Sequence, residues 1–348
     1  MKKVLLFVAS ICLSGLLTAQ DIHFSQFYMS PLNLNPALTG VMNCNMRLVG
    51  NYRNQYASIL KSNAFNTFSV SYDQKIPVGR YDYFGVGGTL WGDKAGSAGF
   101  GTVQARLSGS YSKRMSGSRY SSNYLVFGAD LGLSQRRINF AKLQWGTQHD
   151  GNGGYDPNLN SGETKFDRDN FLFLDMSAGL LWFNVFNKTN SFYLGGAFSH
   201  MNRANQSFDT DTYDGLYSKF TIHSGLDYVF PYSRIGLNPG IVAFIQGPSM
   251  QINTGTNIKF LLSGNKRTYE AFQFGAWVRL ANKIDSGILA DALILSTRFD
   301  FEQFGIGFSY DLNISSLKNA TNHNGAFEFS GIYNICGPER RGVYCPRF

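Results

Sequence analysis

Few residues in this chain could do covalent chemistry. Among 348 residues there are five histidines (His23, His149, His200, His223 and His323) and four cysteines. Nucleophilic hydrolysis needs a serine or cysteine within hydrogen-bond reach of a histidine, itself oriented by a third polar group. Ser199 precedes His200 directly, but adjacent strand residues point to opposite faces, so the two cannot pair. His200 and His223 fall near facing ends of neighbouring predicted strands, a position open to ordinary rim or lumen histidines as well as to a reactive pair. The run Asp150-Gly151-Asn152-Gly153-Gly154-Tyr155-Asp156 has the acidic start of a calcium loop. It carries Tyr155 where the sixth position needs glycine, and Ser161 where the twelfth needs a bidentate glutamate. It reads instead as a Gly/Asn/Asp-rich loop. Neither a metal nor another cofactor is expected.

The N-terminus reads as an export signal over residues 1–20. Lys2 and Lys3 supply the charge, Val4 to Leu17 the apolar region, and Thr18-Ala19-Gln20 the small and polar residues around a cut. Cys12 lies inside it, and Ile11 stands where a lipoprotein signal needs a small residue, so lipidation is not expected. An exported chain meets an oxidising compartment, where Cys44, Cys336 and Cys345 could pair. The formal charge of +8 includes those two leader lysines. The densest basic pairs, Lys113-Arg114, Arg136-Arg137 and Arg340-Arg341, fall in apparent connections. They suit solvated turns or anionic lipid head groups. Nucleic acid is excluded as a partner on the ground of export.

The elements that hold these residues are strands. Glycine (38), phenylalanine (30) and tyrosine (19) are abundant while charged residues are 16%. That balance suits a sheet whose outer face meets something other than water. No stretch beyond the leader is apolar for the ~18 residues of a membrane helix. Period-two alternation recurs instead. Val103, Ala105, Leu107, Gly109 and Tyr111 share one face against Gln104, Arg106, Ser108 and Ser110. Met250, Ile252, Ile258 and Phe260 likewise oppose Gln251, Asn253, Asn257 and Lys259. Strands are predicted at 45–56, 64–74, 82–92, 99–112, 123–134, 171–184, 190–201, 217–230, 234–246, 249–261, 269–281, 285–296, 299–312 and 325–335. Each is close to the ~9–11 residues that a tilted strand needs to cross a bilayer.

The expected fold is therefore all-β: a transmembrane antiparallel outer-membrane barrel of about fourteen strands. Apolar faces end in aromatics such as Tyr111, Trp182 and Phe260, as interfacial girdles do. The three longest predicted connections (135–170, 202–216 and 313–324) are all odd-numbered, as outer loops should be when both termini are periplasmic. A sheet in lipid must also close, since an open edge leaves unpaired amides in hydrocarbon. The predicted organisation is an N-terminal segment over 21–44, the barrel over 45–335 and a periplasmic tail over 336–348. The first segment has two placements, a periplasmic arm or a partial plug of Phe24, Phe27, Tyr28 and Leu34. Its Asn35-Pro36-Ala37-Leu38-Thr39-Gly40 predicts one capped helical turn, with Asn35 as cap and Gly40 as left-handed stop. Closure brings the first and last strands together, so Cys44–Cys336 would clasp the seam, whereas Cys336–Cys345 would pin the tail.

Several stretches together resemble the PorP/SprF family, outer-membrane proteins of the type IX secretion and gliding systems of Bacteroidota. They are His23 to Tyr28, Pro31-Leu32, Leu34 to Gly40, Asn51 to Gln55, Gln144 to Gln148, His200 to Arg203 with Gln206 to Phe208, Tyr310 to Asn313, and Cys345-Pro346-Arg347-Phe348. Ala204 and Tyr56 depart from the family, which usually carries proline and tryptophan there. The resemblance implies a non-enzymatic protein of a Gram-negative outer membrane. It would assist secretion, or surface anchoring, of a large partner such as a gliding adhesin. It would contact secretion or gliding subunits and outer-membrane lipid. Asp150, Tyr155, Asp156, Asn202, Arg203 and Phe208 are the candidate outer contacts. A diffusion porin and an enzyme of outer-membrane lipids are the rival readings.

Overall fold

The computed structural model describes residues 21–118, 121–149, 154–162, 167–187, 189–264, 269–282, 287–337 and 345–346. Residues 1–20, where an export signal is expected, and Asp150 lie outside the described residues. Fourteen strands form the wall: β1 Met46–Gln55, β2 Phe65–Val78, β3 Asp82–Ala95, β4 Phe100–Gly117, β5 Ser122–Arg137, β6 Asn170–Val185, β7 Ser191–Ser199, β8 Lys219–Val229, β9 Ile235–Gln246, β10 Ser249–Gly264, β11 Tyr269–Asn282, β12 Ile288–Phe301, β13 Phe304–Asn313 and β14 Asn324–Ile335. Each pairs with its sequence neighbours, and β1 pairs antiparallel with β14 from Met46↔Ile335 to Gln55↔Ala326. The closed ring leaves no sheet edge, which is what a lipid environment demands.

The alternation is inverted relative to a water-soluble sheet. Leu107 is 77% exposed on the outside of β4, while Gln104 on the same strand is buried inside. Ile258 and Phe260 likewise face out from β10, and Asn257 and Lys259 face in. An apolar outside is stable only against lipid. Trp182 sits on that outer face, its indole N–H donating to Asn123 Oδ1 at 2.9 Å, as a side chain with one apolar and one wet end can at an interface.

Several strands run further than the sequence pattern implied, while β1, β7, β8 and β13 are shorter. β2 continues to Val78, β4 to Gly117 and β5 to Arg137, so the second and fourth connections shrink to 79–81 and 118–121. The turn expected at 297–298 is at Glu302-Gln303 instead. Arg298 and Asp300 look like turn residues but pair with each other at 2.8 Å on the inner face of β12. The reversal is made at Glu302, which takes a left-handed φ of +51°. The long connections 138–169, 200–218 and 314–323 share one rim, assigned as the outer one. The opposite rim carries Cys44 and Cys336.

The segment before β1 lies inside the ring. It descends from Asp21 in the outer half to Asn45 at the periplasmic rim, and from Phe24 to Val41 every residue but the half-buried Asn33 is buried. Short helical turns at Phe27–Met29, Pro31–Leu34 and Pro36–Leu38 keep it compact. Asn35 Oδ1 accepts the Ala37 N–H at 2.8 Å, and Gly40 stops the last turn at φ +73°, the cap and stop expected of those residues. Phe27, Tyr28, Leu34, Leu38 and Val41 form one apolar cluster with the wall residues Tyr83, Tyr124, Phe183 and Trp277.

Cys44 and Cys336 are disulfide-bonded across the β1–β14 seam, with Cα atoms 4.3 Å apart. Cys345 keeps a buried free thiol, so the alternative Cys336–Cys345 bond is not the arrangement adopted. The tail is held by exchange of two hydrogen bonds: Cys345 N–H to Asn43 Oδ1, and Asn43 Nδ2 to the Cys345 carbonyl, both 2.9 Å. Peptide mapping without reductant should recover a Cys44–Cys336 cross-link, and its removal should cost about 2–4 kcal/mol of stability. Unmodified thiols at both positions would contradict the pairing.

Candidate functional site

The inner wall meets the buried segment along a row of small residues. Gly85 of β3 faces Ser110 of β4, Ser110 faces Gly128 of β5, Gly128 faces Gly179 of β6, and Gly179 faces Ala197 of β7. The row runs across five strands, and Asn35 to Gly40 lies along it. A Cβ at Gly179 would overlap Asn35 Oδ1, one at Gly128 would overlap Ala37, and one at Gly85 would overlap the Thr39 carbonyl. Backbone therefore rests directly on backbone, which glycine alone permits. Hydrogen bonds fix the register. Asn35 Nδ2 donates to the carbonyls of Leu180 (3.0 Å) and Gly196 (3.1 Å), and lies 3.0 Å from His223 Nε2. Ser110 Oγ donates to the Thr39 carbonyl at 2.6 Å. The Gly40 N–H donates to Asp73 Oδ2 at 2.7 Å, and Arg47 holds Asp73 through Nε (3.0 Å) and Nη2 (2.8 Å).

Above this row the segment is held by charge. Glu328 of β14 accepts the backbone N–H groups of Ser25 (2.6 Å) and Gln26 (3.0 Å). The Ser25 hydroxyl reaches both oxygens of Asp311 at 2.9 Å. Arg53 bridges Asp311 (3.0 Å) and Glu328, and Arg279 reaches Asp311 at 2.7 Å. All four charged groups are buried. Two buried cations face two buried anions, with the part-exposed Asp291 3.8 Å from Arg279 at the edge, and the segment's own N–H and O–H groups use carboxylate lone pairs that would otherwise lack partners.

The outermost contact is Asp21. His200, immediately after β7, faces Asp175 through Nδ1 (2.9 Å) and Asp21 through Nε2 (3.4 Å). Lys219 reaches Asp21 at 3.2 Å, and the Asp21 N–H donates to Gln246 Oε1 at 2.9 Å. Burial works against a charged His200, but its hydrogen bond to Asp175 and the adjacent Asp21 carboxylate overcome it and raise its pKa to about 9. Burial also opposes ionisation of Asp21, yet Lys219 and His200 hold it well below the usual carboxylate range. His200 and His223 thus have separate partners, Asp21 and Asp175 for one and Asn35 for the other.

The candidate outer contacts are dispersed over the outer rim. Asp150 falls outside the described residues. Tyr155 rests against His149 with ring centroids 5.2 Å apart, and the exposed Asp156 caps its own loop by accepting the Asn158 N–H at 2.9 Å. Asn202 Nδ2 donates to the Leu174 carbonyl at 2.7 Å. Arg203 is exposed at φ +45°, and its carbonyl accepts the Tyr213 hydroxyl at 2.7 Å. Phe208 packs edge-on against Phe140 (5.7 Å) and Phe171 (5.1 Å). Arg168 donates to the Ser207 carbonyl at 2.8 Å beside it, so Phe208 staples the two longest loops together. Sequence reasoning missed the small-residue row and the Arg53–Arg279–Asp311–Glu328 cluster. The row's members share one level only through strand register, and Arg53 is 226 to 275 residues from the cluster's other members, meeting Glu328 only because β1 pairs with β14 at the seam, so no local pattern marks either.

A closed barrel with an apolar exterior, a polar interior and a filled lumen is a transmembrane protein of the outer-membrane type. The chain belongs to the family described as type IX secretion system membrane protein PorP/SprF, whose model matches residues 16–333. That places it in a Gram-negative outer membrane, as a secretion-system component associated with other parts of the apparatus. No curated protein matches it. Among solved structures it is similar to the Ralstonia pickettii toluene transporter TbuX (9% identity, 89% of this chain and 93% of that one, TM-score 0.45). It is also similar to the transport unit of the Escherichia coli autotransporter AIDA-I (10% identity, 94% and 97%, TM-score 0.32), and to a bacterial polysaccharide outer membrane secretin (9% identity, 84% and 99%, TM-score 0.37).

Two outcomes follow for the buried segment. Arg53→Met strands Glu328 and weakens the hold on Asp311, and should cost about 3–5 kcal/mol in urea unfolding of the folded barrel; a loss under ~1 kcal/mol would contradict the cluster's role. The Asp21–His200 contact has a pH window. His200 has a raised folded pKa, so its contribution is full below its ordinary value of 6.5 and is lost as pH rises through about 9. Protection of the Ile22 and His23 amides, taken relative to their intrinsic base-catalysed exchange, should fall across that interval, and His200→Gln should abolish that fall.

Proposed function

We propose that the protein is a sealed adaptor barrel that assists secretion, or surface retention, of a large partner protein such as a gliding adhesin, and that it performs no chemistry of its own. The observation that carries this reading is the occupied lumen. A segment of the chain itself fills the ring from the Asp21 contact down to Asn45, anchored at the outer end, in the middle and at the periplasmic rim. A folded or extended cargo has no path through such an interior. The partner would then meet the two surfaces that the barrel presents. The outer loops would meet the exported protein through Asp150, Tyr155, Asp156, Asn202, Arg203 and Phe208. The periplasmic rim, stiffened by the Cys44–Cys336 clasp, would meet apparatus subunits. The stapling of loop 138–169 to loop 200–218 by Phe208 and Arg168 supports a rigid outer surface, since a preorganised surface loses less entropy on binding. The filled lumen also weighs against the porin reading, which needs an aqueous channel.

The test has two parts. In planar bilayers the intact protein should give no steady conductance, while deletion of residues 21–40 should open discrete channels. Steady conductance from the intact protein would favour a porin. Extraction of the tagged protein from its native outer membrane in mild detergent should recover a large secreted protein together with apparatus subunits. Recovery of the barrel alone, under conditions that keep other membrane complexes intact, would count against the adaptor reading.

A further inference from the structure

The wall has a local break between β8 and β9. Pairing runs from Lys219↔Gln246 to Gly225↔Gly240, then resumes at Tyr228↔Leu237, leaving Leu226 and Asp227 without a ladder partner in Asn238 and Pro239. Pro239 has no N–H to donate. Its other neighbour is unaffected, because β9 pairs continuously with β10 through Thr256↔Pro239 and Asn257↔Asn238. The missing bond therefore lies on the β8 side, and this is a weak point in the wall.

A cavity of about 620 Å³ lies behind the break and opens toward the periplasmic rim, with Leu226, Pro239 and Gly240 in its wall. Its lining is mixed. Phe27, Tyr28, Val41, Tyr193 and Trp277 give it an apolar and aromatic side, on which Asn257 accepts the Trp277 N–H. The mouth is polar, formed by Gln273, Arg298, Asp300 and Glu302. Arg298, paired with Asp300 at 2.8 Å, and Glu302 place both signs of charge at that mouth. Asn238 Oδ1 is buried without a hydrogen-bond partner, an acceptor that a bound donor would satisfy. The volume falls within the range of ordinary small-ligand sites.

We propose that this cavity binds a zwitterionic single-chain phospholipid drawn from the bilayer, with its acyl chain against Tyr28 and Trp277 and its head at the mouth beside Arg298 and Glu302. The break at Pro239 gives the chain a route from the lipid face, since a short separation of β8 from β9 there breaks fewer hydrogen bonds than a fully laddered stretch would. The polar mouth keeps the head in contact with water. This site is independent of whether the lumen conducts or the loops bind cargo.

Trp277 reports on occupancy. The chain has four tryptophans, and replacing Trp91, Trp145 and Trp182 with phenylalanine leaves Trp277 alone. Lysophosphatidylethanolamine brominated on its acyl chain should quench Trp277 saturably, and the unbrominated lipid should restore the signal. The same brominated chain as a free fatty acid should bind on the order of tenfold more weakly, equivalent to about 1.4 kcal/mol, because it lacks the cationic half of the head. A Cβ at Gly240 already approaches the Trp277 ring to 3.2 Å, so Gly240→Leu should fill the cavity and abolish quenching. Pro239→Thr should slow uptake while leaving affinity intact. Non-saturable quenching that competitor does not relieve would mean lipid around the barrel rather than inside it, and would overturn the proposal. That competition uses no cavity variant, so it decides the matter even if Gly240→Leu fails to fold. Equal binding of fatty acid and lysophospholipid would overturn the assignment of the head.

Discussion

Hydrocarbon offers no hydrogen bonds to a backbone, and that constraint shapes everything else in the molecule. It forces the sheet to close through β1 and β14. Closure then encloses a space whose walls carry the polar half of every alternating strand. Fourteen strands make that space wider than wall side chains alone fill, and the chain fills it with its own N-terminal segment. The segment in turn needs wall positions where it can lie close, which the small row from Gly85 to Ala197 supplies. It also needs partners for its own amides, which Glu328 and Asp73 supply, and for the Ser25 hydroxyl, which Asp311 supplies.

The interior therefore has two kinds of adhesion with different strengths. Along the glycine row the contacts are close but uncharged, and they specify position more than they stabilise. In the Arg53–Arg279–Asp311–Glu328 cluster the charges lack solvent, so each depends on the rest being present. A complete cluster is moderate in net worth, while a broken one is costly. That asymmetry makes the buried segment an all-or-none element: it is either seated with its amides on the carboxylates or it leaves several charges stranded.

Much of this was legible in the sequence, and the remainder was hidden for identifiable reasons. Alternation is a local signal, so Val103 to Tyr111 and Met250 to Phe260 marked their strands and faces without further help. The Asn35 cap and Gly40 stop were equally local. Cys44 and Cys336 became neighbours as soon as closure was assumed. The turn after β12 was misplaced because Arg298 and Asp300 look like surface residues, whereas a polar lumen lets a charged pair continue a strand. The row from Gly85 to Ala197 could not be seen, since each strand contributes one small residue and the register that aligns them is not written locally. Phe208 illustrates a further limit: its letter alone does not show that it packs against Phe140 and Phe171.

The bond between Cys44 and Cys336 also changes the topology of the chain. From one cysteine to the other the polypeptide becomes a covalent circle that contains all fourteen strands. A single cut in an exposed outer loop opens the circle without dividing it, and both halves of the wall stay attached to the segment that fills them. For a protein whose longest loops face the surroundings of the cell, damage by an external protease is converted from loss of a fragment into a nick.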